Sequence, residues 1–160
     1  GFGPFRRRGR MADLVNALAT VAPTGLVDLN ARLADCLPEG ARQPLVIVAS
    51  DLMTPDGVAD GLLALQSRHA DVVVLHVVSP DELEPDLAGE VELIDAETNA
   101  SLELGVSLDT LRAYRQRLQT WLAAREADCI THGMRYVRLM TDRPLADVIM
   151  DDLRRGGVLR

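Results

Sequence analysis

The sequence predicts an α/β protein: a parallel sheet carrying helices on both faces. Three observations point there. Leu45-Val46-Ile47-Val48-Ala49 and, with His76 as its one polar residue, Val72 to Val78 are continuous, β-branched runs, the pattern of central parallel strands buried on both faces. Helical periodicity of about 3.6 residues fills the chain around them. Such alternation of strand and helix is how a parallel sheet is built, because parallel neighbours need a long crossover between them.

In chain order, Met11 to Ala22 carries Leu14, Val15, Leu18 and Val21 on one stripe and stops at Pro23. Asp28 is placed to cap a helix with Leu29, Leu33 and Leu37 inward, ended by Pro38 and Gly40. The first strand follows, then a helix over Asp56 to Arg68 that packs Val58, Leu62, Leu63 and Leu65. After the second strand, Val91 to Asp95 and Ser101 to Leu104 alternate with period two around the polar turn Ala96 to Ala100. That pattern predicts an inserted β-hairpin with one face covered. The longest helix begins near Ser107 and runs to about Thr131, with Leu108, Leu111, Tyr114, Leu118, Trp121 and Leu122 at helical spacing and Gly133 as its stop. Met134 to Met140, interrupted by Arg135 and Arg138, suits a strand nearer an edge. A last helix opens near Asp142 with Pro144 in its first turn and carries Leu145, Val148, Ile149 and Leu153. It closes on Arg154-Arg155-Gly156-Gly157, cations and glycine where the helix dipole and a left-handed cap favour them.

Composition narrows the function. At 160 residues the chain is one domain, long enough to bury a core. A net charge of −7 argues against a nucleic-acid binder, which needs a concentrated basic face. The exception is the arm Arg6, Arg7, Arg8 and Arg10, which reads as a solvated, mobile terminus over residues 1–10. No apolar run approaches the ~18 residues of a membrane span, and the first residues lack a signal-peptide core. A soluble, cytoplasmic chain is the expectation. Cys36 and Cys129 have neither disulfide-framework nor zinc spacing and are expected as buried free thiols. All 17 basic residues are arginine. Without lysine there is no phosphate-cradling Gly-Lys loop and no Schiff base.

Ligands of parallel sheets bind outside the carboxyl ends of the strands. The residues falling there are Ser50, Asp51 and Thr54, then Ser79 and Asp81, then Thr141 and Asp142. Carboxylates with hydroxyls suit a hard divalent cation or a polar ligand. The same residue types are equally the turn formers and helix caps that strand ends require, and Asp56, Asp81 and Asp142 stand where caps are wanted. Asp51 is set apart because it directly follows the most apolar strand. His76, inside a strand, reads as a hydrogen-bonded core residue, while His69 and His132 sit at helix C-termini. Trp121 and Tyr114 fit core-stripe positions.

The run Leu45 to Leu52, then Asp71 to Leu83, the hairpin Leu93 to Thr98, and the later Leu111, Tyr114, Leu118, Trp121, Cys129, Gly133, Tyr136 and Thr141 to Leu145 resemble the bacterial domain-of-unknown-function 58 family. So does the ending Leu153 to Leu159, and the resemblance spans nearly the whole chain. It implies a von Willebrand factor A-like, Rossmann-type fold. It implies a non-catalytic adaptor that binds a protein partner, commonly a MoxR-type AAA+ ATPase. Related domains hold a divalent cation in an adhesion site made from an Asp-x-Ser-x-Ser loop, a threonine and a later aspartate. Here that loop and its neighbouring strands do not occur, and Gly25-Leu26-Val27-Asp28 has Val27 at the threonine position. Only Asp51 remains as an adhesion-site remnant, so no metal and no cofactor are expected. The resemblance makes residues 11–160 the C-terminal part of such a domain, its sheet incomplete on the N-terminal side. That implies a fragment of a longer protein or pairing with another copy. The enzymatic rival is a divalent-metal hydrolase or phosphotransferase using Asp51, Asp81 and Asp142.

Overall fold

The computed structural model describes residues 13, 16–17, 19–21, 28–37, 42–54, 57–96 and 98–158. The basic arm, Val27, Pro38, Gly40, Asp56 and half of the stretch 11–22 lie outside them, although residues 13, 16, 17 and 19 are helical as the periodicity predicts. The order of elements is α1 (Leu29–Asp35), β1 (Leu45–Ser50), α2 (Ala59–Ser67), β2 (Asp71–Val78), α3 (Pro80–Leu83), β3 (Gly89–Ile94), β4 (Ser101–Val106), α4 (Leu108–Thr131) and β5 (Arg135–Met140). A helical run closes the chain: α5 (Leu145–Asp147), a π-helical turn (Val148–Asp152) and α6 (Leu153–Arg155).

Strands β1, β2 and β5 form a parallel sheet in that order, with β2 in the middle. Leu45 pairs with Asp71 and Ser50 with His76 on one side of β2; Val73 pairs with Arg135 and Val78 with Met140 on the other. Strands β3 and β4 make a separate antiparallel hairpin. The fold is therefore α/β, as the sequence predicts.

Residue alternation along each strand divides the sheet into two faces. Val48, Val72 and Val74 point to the face where Leu33 and Leu37, Leu62 and Leu65 of α2, and Cys129 of α4 close the main core. A smaller cluster joins Val78 to Leu118 and Leu122 of α4. On the opposite face the terminal helical run packs against β5. Gly156 comes so close to Val137 that a Cβ would collide with it, and Arg135 donates to the Gly157 carbonyl.

The helix limits follow local chemistry. Asp28 accepts from the Ala31 amide and Ser107 from the Thr110 amide, each satisfying a first-turn donor of its helix. Gly133, at φ +68°, ends α4 in the left-handed region that glycine adopts without a Cβ clash. Helix α2 is different: Val58 at its start gives no side-chain cap. Asn30 of α1 substitutes, accepting from the Gly61 amide at 2.8 Å and donating to the Gly57 carbonyl at 3.0 Å.

Five expectations are corrected. Among the described residues β1 is an edge strand, not a central one, and Leu45 and Ile47 are 58% and 54% exposed. Its apolar run matched a buried strand because a continuous pattern cannot reveal which neighbours are present. Cys36, the C-cap of α1, is exposed, whereas Cys129 is buried. The first half of α4 is less covered than its stripe implied, with Leu108 and Tyr114 exposed. The hairpin face is covered only near its root, and the last helix contains an unforeseen π turn.

Candidate functional site

The six sequence candidates all lie just beyond the carboxyl ends of β1, β2 and β5, as the parallel order requires. The side chains of Asp51, Thr54 and Ser79 are engaged in local turns and caps. Asp51 accepts from the Met53 amide at 3.1 Å, and the Ser50 hydroxyl accepts from the Leu52 amide at 3.0 Å. Between them Leu52 adopts φ +59°, uncommon for a branched side chain and costing about 1 kcal/mol. Burial of its side chain to 3% exposure holds it there. Thr54 donates to the Gly57 carbonyl at 2.7 Å, the same oxygen that Asn30 reaches from α1.

At the end of β2, Ser79 forms a capping box. Its hydroxyl accepts from the Asp81 amide, while its own amide donates to Glu82 at 2.6 Å. Asp81 occupies the first turn of α3, where a carboxylate favours the positive end of the helix. After β5, the Thr141 amide extends the ladder to the Val78 carbonyl, and Asp142 is exposed.

Helix α4 passes this edge and is pinned there by Tyr114, whose hydroxyl donates to the Glu82 carbonyl at 2.7 Å. Two separate open clefts flank it. One is lined by Met53, Thr54, Arg117 and Trp121; the other by Asp81, Glu84, Arg115 and Asp142. Thr54 therefore lines one cleft, while Asp81 and Asp142 line the other. Among the described residues no three of His, Cys, Asp or Glu come together in a way that could hold a metal ion. The described residues do not gather the donors that the adhesion-site cation of such folds, implied by the resemblance, would need. An apolar pocket between α2 and α4, lined by Leu62, Leu63, Arg125 and Cys129, measures about 140 Å³. That is smaller than the ~300 Å³ at which ordinary ligand pockets begin.

A buried polar knot sits behind the edge. His76 is fully buried, its Nδ1 lies 2.7 Å from the Tyr136 hydroxyl, and its ring meets Trp121 edge-on at 5.3 Å between centroids. This agrees with the core role its position in a strand suggested. Its Nε2 has no hydrogen-bond partner among the described residues. Burial lowers the His76 pKa below its usual 6.5; the Asp51 main chain and the Asp51 and Glu82 carboxylates only partly offset this, and the Arg138 charge lowers it further. Burial likewise raises the Tyr136 hydroxyl.

The consequence for stability has a definite sign. His76 stays neutral in the folded chain, while in the unfolded chain it titrates near 6.5. Stability is retained above that pH. It falls as the pH drops from about 6.5 toward the depressed folded value, with a slope of up to about 1.4 kcal/mol per pH unit. Urea midpoints between pH 8 and pH 5.5 should therefore decline for the wild type and flatten for His76→Phe. Parallel curves for the two would remove His76 from this role.

Fold and edge together define an α/β protein with a parallel three-stranded sheet, an appended hairpin and a strand-end surface built from capped turns. The chain belongs to the family described as protein of unknown function DUF58, whose model matches residues 4–127. That match ends within α4, so β5 and the terminal helical run fall beyond it. No curated protein and no solved structure matches the chain. No helix of the described residues is long and apolar enough to cross a membrane.

Proposed function

We propose that this chain is the C-terminal part of a von Willebrand factor A-like domain and works as a non-catalytic protein-interaction module, with a MoxR-type AAA+ ATPase as its partner. The observation that carries the reading is the open side of β1. Parallel sheets are ordinarily covered on both faces, yet here Leu45, Ile47 and Ala49 stand exposed on a strand that pairs, among the described residues, with β2 alone. On this reading, the preceding strands of a von Willebrand factor A-like sheet lie along β1. The strand-end residues Asp51, Thr54, Ser79, Asp81, Thr141 and Asp142 then form a contact edge. Support comes from how they are used: Asp51, Thr54 and Ser79 hold turns and caps rather than converging on a reacting atom.

The test is a binding and turnover experiment. A MoxR-type ATPase mixed with the chain is expected to co-elute with it and to hydrolyse ATP at an altered rate. The chain alone, given a phosphate ester with magnesium or manganese, is expected to show no turnover that depends on Asp51. Metal-dependent hydrolysis abolished by Asp51→Asn would overturn the adaptor reading in favour of an enzyme.

A further inference from the structure

The hairpin presents an apolar face whose outer half nothing among the described residues covers. Directly paired residues of an antiparallel ribbon share a face. The register Val91↔Leu104 and Leu93↔Leu102 therefore gathers four apolar side chains on one side, with Val106 at the root. Burial decreases outward. Val106 is buried and Val91 and Leu104 are half-buried, whereas Leu93 and Leu102 are 41% and 62% exposed. An isolated two-stranded ribbon is marginally stable in water, so an uncovered apolar face on one is costly.

The other face tells what kind of surface fits. It carries Glu90, Glu92 and Glu103, with Glu92 directly opposite Glu103, and the exposed Ile94 at the turn end. Like charges so placed destabilise a ribbon unless a cation lies between them. None of the ion pairs of the described residues involves these three. The imbalance is regional: from His69 to Leu111 the sequence places 11 of its 24 acidic residues and none of its 17 arginines. A second copy laid on this ribbon would bring two such acidic segments together. Nucleic acid and anionic lipid are repelled for the same reason.

We propose that the β3–β4 ribbon, whose outer edges are unpaired among the described residues, takes a cationic amphipathic polypeptide as an added strand, so that its alternate residues reach both faces: apolar ones beside Leu93 and Leu102, lysine or arginine beside Glu90, Glu92 and Glu103. This deepens the interaction-module reading and rests on it. The small apolar area puts the contact among weak, transient interfaces.

The experiment uses the whole chain and a fluorescein-labelled octapeptide of alternating leucine and lysine, followed by anisotropy. Saturable binding is expected for this peptide and none for its leucine–glutamate counterpart. The double variant Leu93→Ser, Leu102→Ser should bind about tenfold more weakly, and Glu92→Gln, Glu103→Gln several-fold more weakly. All four residues are exposed, so both variants should keep the wild-type circular dichroism. Carbodiimide coupling adds a second readout. Because the chain has no lysine, every side-chain amine comes from the peptide, and its coupling should fall on the ribbon glutamates. Equal binding by all variants, or coupling spread over other carboxylates, would reduce the effect to attraction by net charge and overturn the proposal. So would a wild-type dimer dissolved by Leu93→Ser, since the occupant would then be a second copy. The MoxR-type ATPase separates the two readings. If it binds wild type and variants alike, the ribbon proposal falls and the adaptor stands. If it does not bind while the peptide still requires the ribbon, the ATPase reading falls and the docking surface stands.

Discussion

Replacing Leu65 by alanine should destabilise the chain by about 2–5 kcal/mol, whereas Leu63→Ala on the same helix should cost under about 1 kcal/mol. Leu65 is fully buried in the main core against β1 and β2, while Leu63 is 39% exposed on the rim of the pocket between α2 and α4. Truncation at Leu65 removes three carbons from water-free surroundings and leaves a cavity that the flanking strands cannot close. Truncation at Leu63 removes atoms that already touch solvent. Urea denaturation of both variants beside the wild type reads the contrast directly, provided the slope of the transition is unchanged. Equal losses would mean that α2 is rotated about its axis from the orientation described here.

That pair also marks where local pattern stops being informative. Val58, Leu62, Leu63 and Leu65 read alike as inward residues of one helix, and three of the four are buried. The error at Leu63 arises because helical spacing defines an apolar stripe but not the width of the partner that covers it. The same cause misplaced Leu108 and Tyr114 on α4, where the helix runs past the end of the sheet and Tyr114 is held by the Glu82 carbonyl instead. Caps were legible because they are local: Asp28 and Ser107 each bond an amide three residues on.

The candidate edge was legible in position and less so in chemistry. Parallel strands bring their carboxyl ends to one side, so Asp51, Asp81 and Asp142 had to share an edge. Whether they converge depends on the path of α4, which separates the cleft beside Thr54 from the one beside Asp81 and Asp142. What the sequence missed is non-local. His76 and Tyr136 are 60 residues apart, and Asn30 bridges to Gly57 and Gly61 across 27 and 31 residues. The one available signal was a histidine inside an apolar strand, which demands a partner without naming it. β1 failed for a related reason. A strand buried on both faces and one awaiting neighbours have the same apolar run.

Gly61→Val should cost about 3 kcal/mol or more, despite valine's better helix propensity than glycine. A Cβ built on Gly61 would stand 2.9 Å from the Cα and carbonyl oxygen of Asn30 and from the Cβ of Leu33. Two of those atoms are backbone, so α1 as a whole must retreat rather than one side chain turn aside. The retreat carries a second penalty. Asn30 supplies the missing cap of α2 and ties the Gly57 carbonyl, which Thr54 also holds, so moving α1 loosens the loop that follows Asp51. Removing a helix cap costs about 1 kcal/mol by itself. The two contributions are separable. Asn30→Ala should lose roughly 1–2 kcal/mol through the hydrogen bonds alone, and adding Gly61→Val to it should cost less than in the wild type, since part of its harm is already done. Full additivity in urea midpoints would mean that packing of α1 on α2 and anchoring of the Asp51 loop are independent. Sub-additivity would place both under one contact, and make that contact the structural support of the candidate edge.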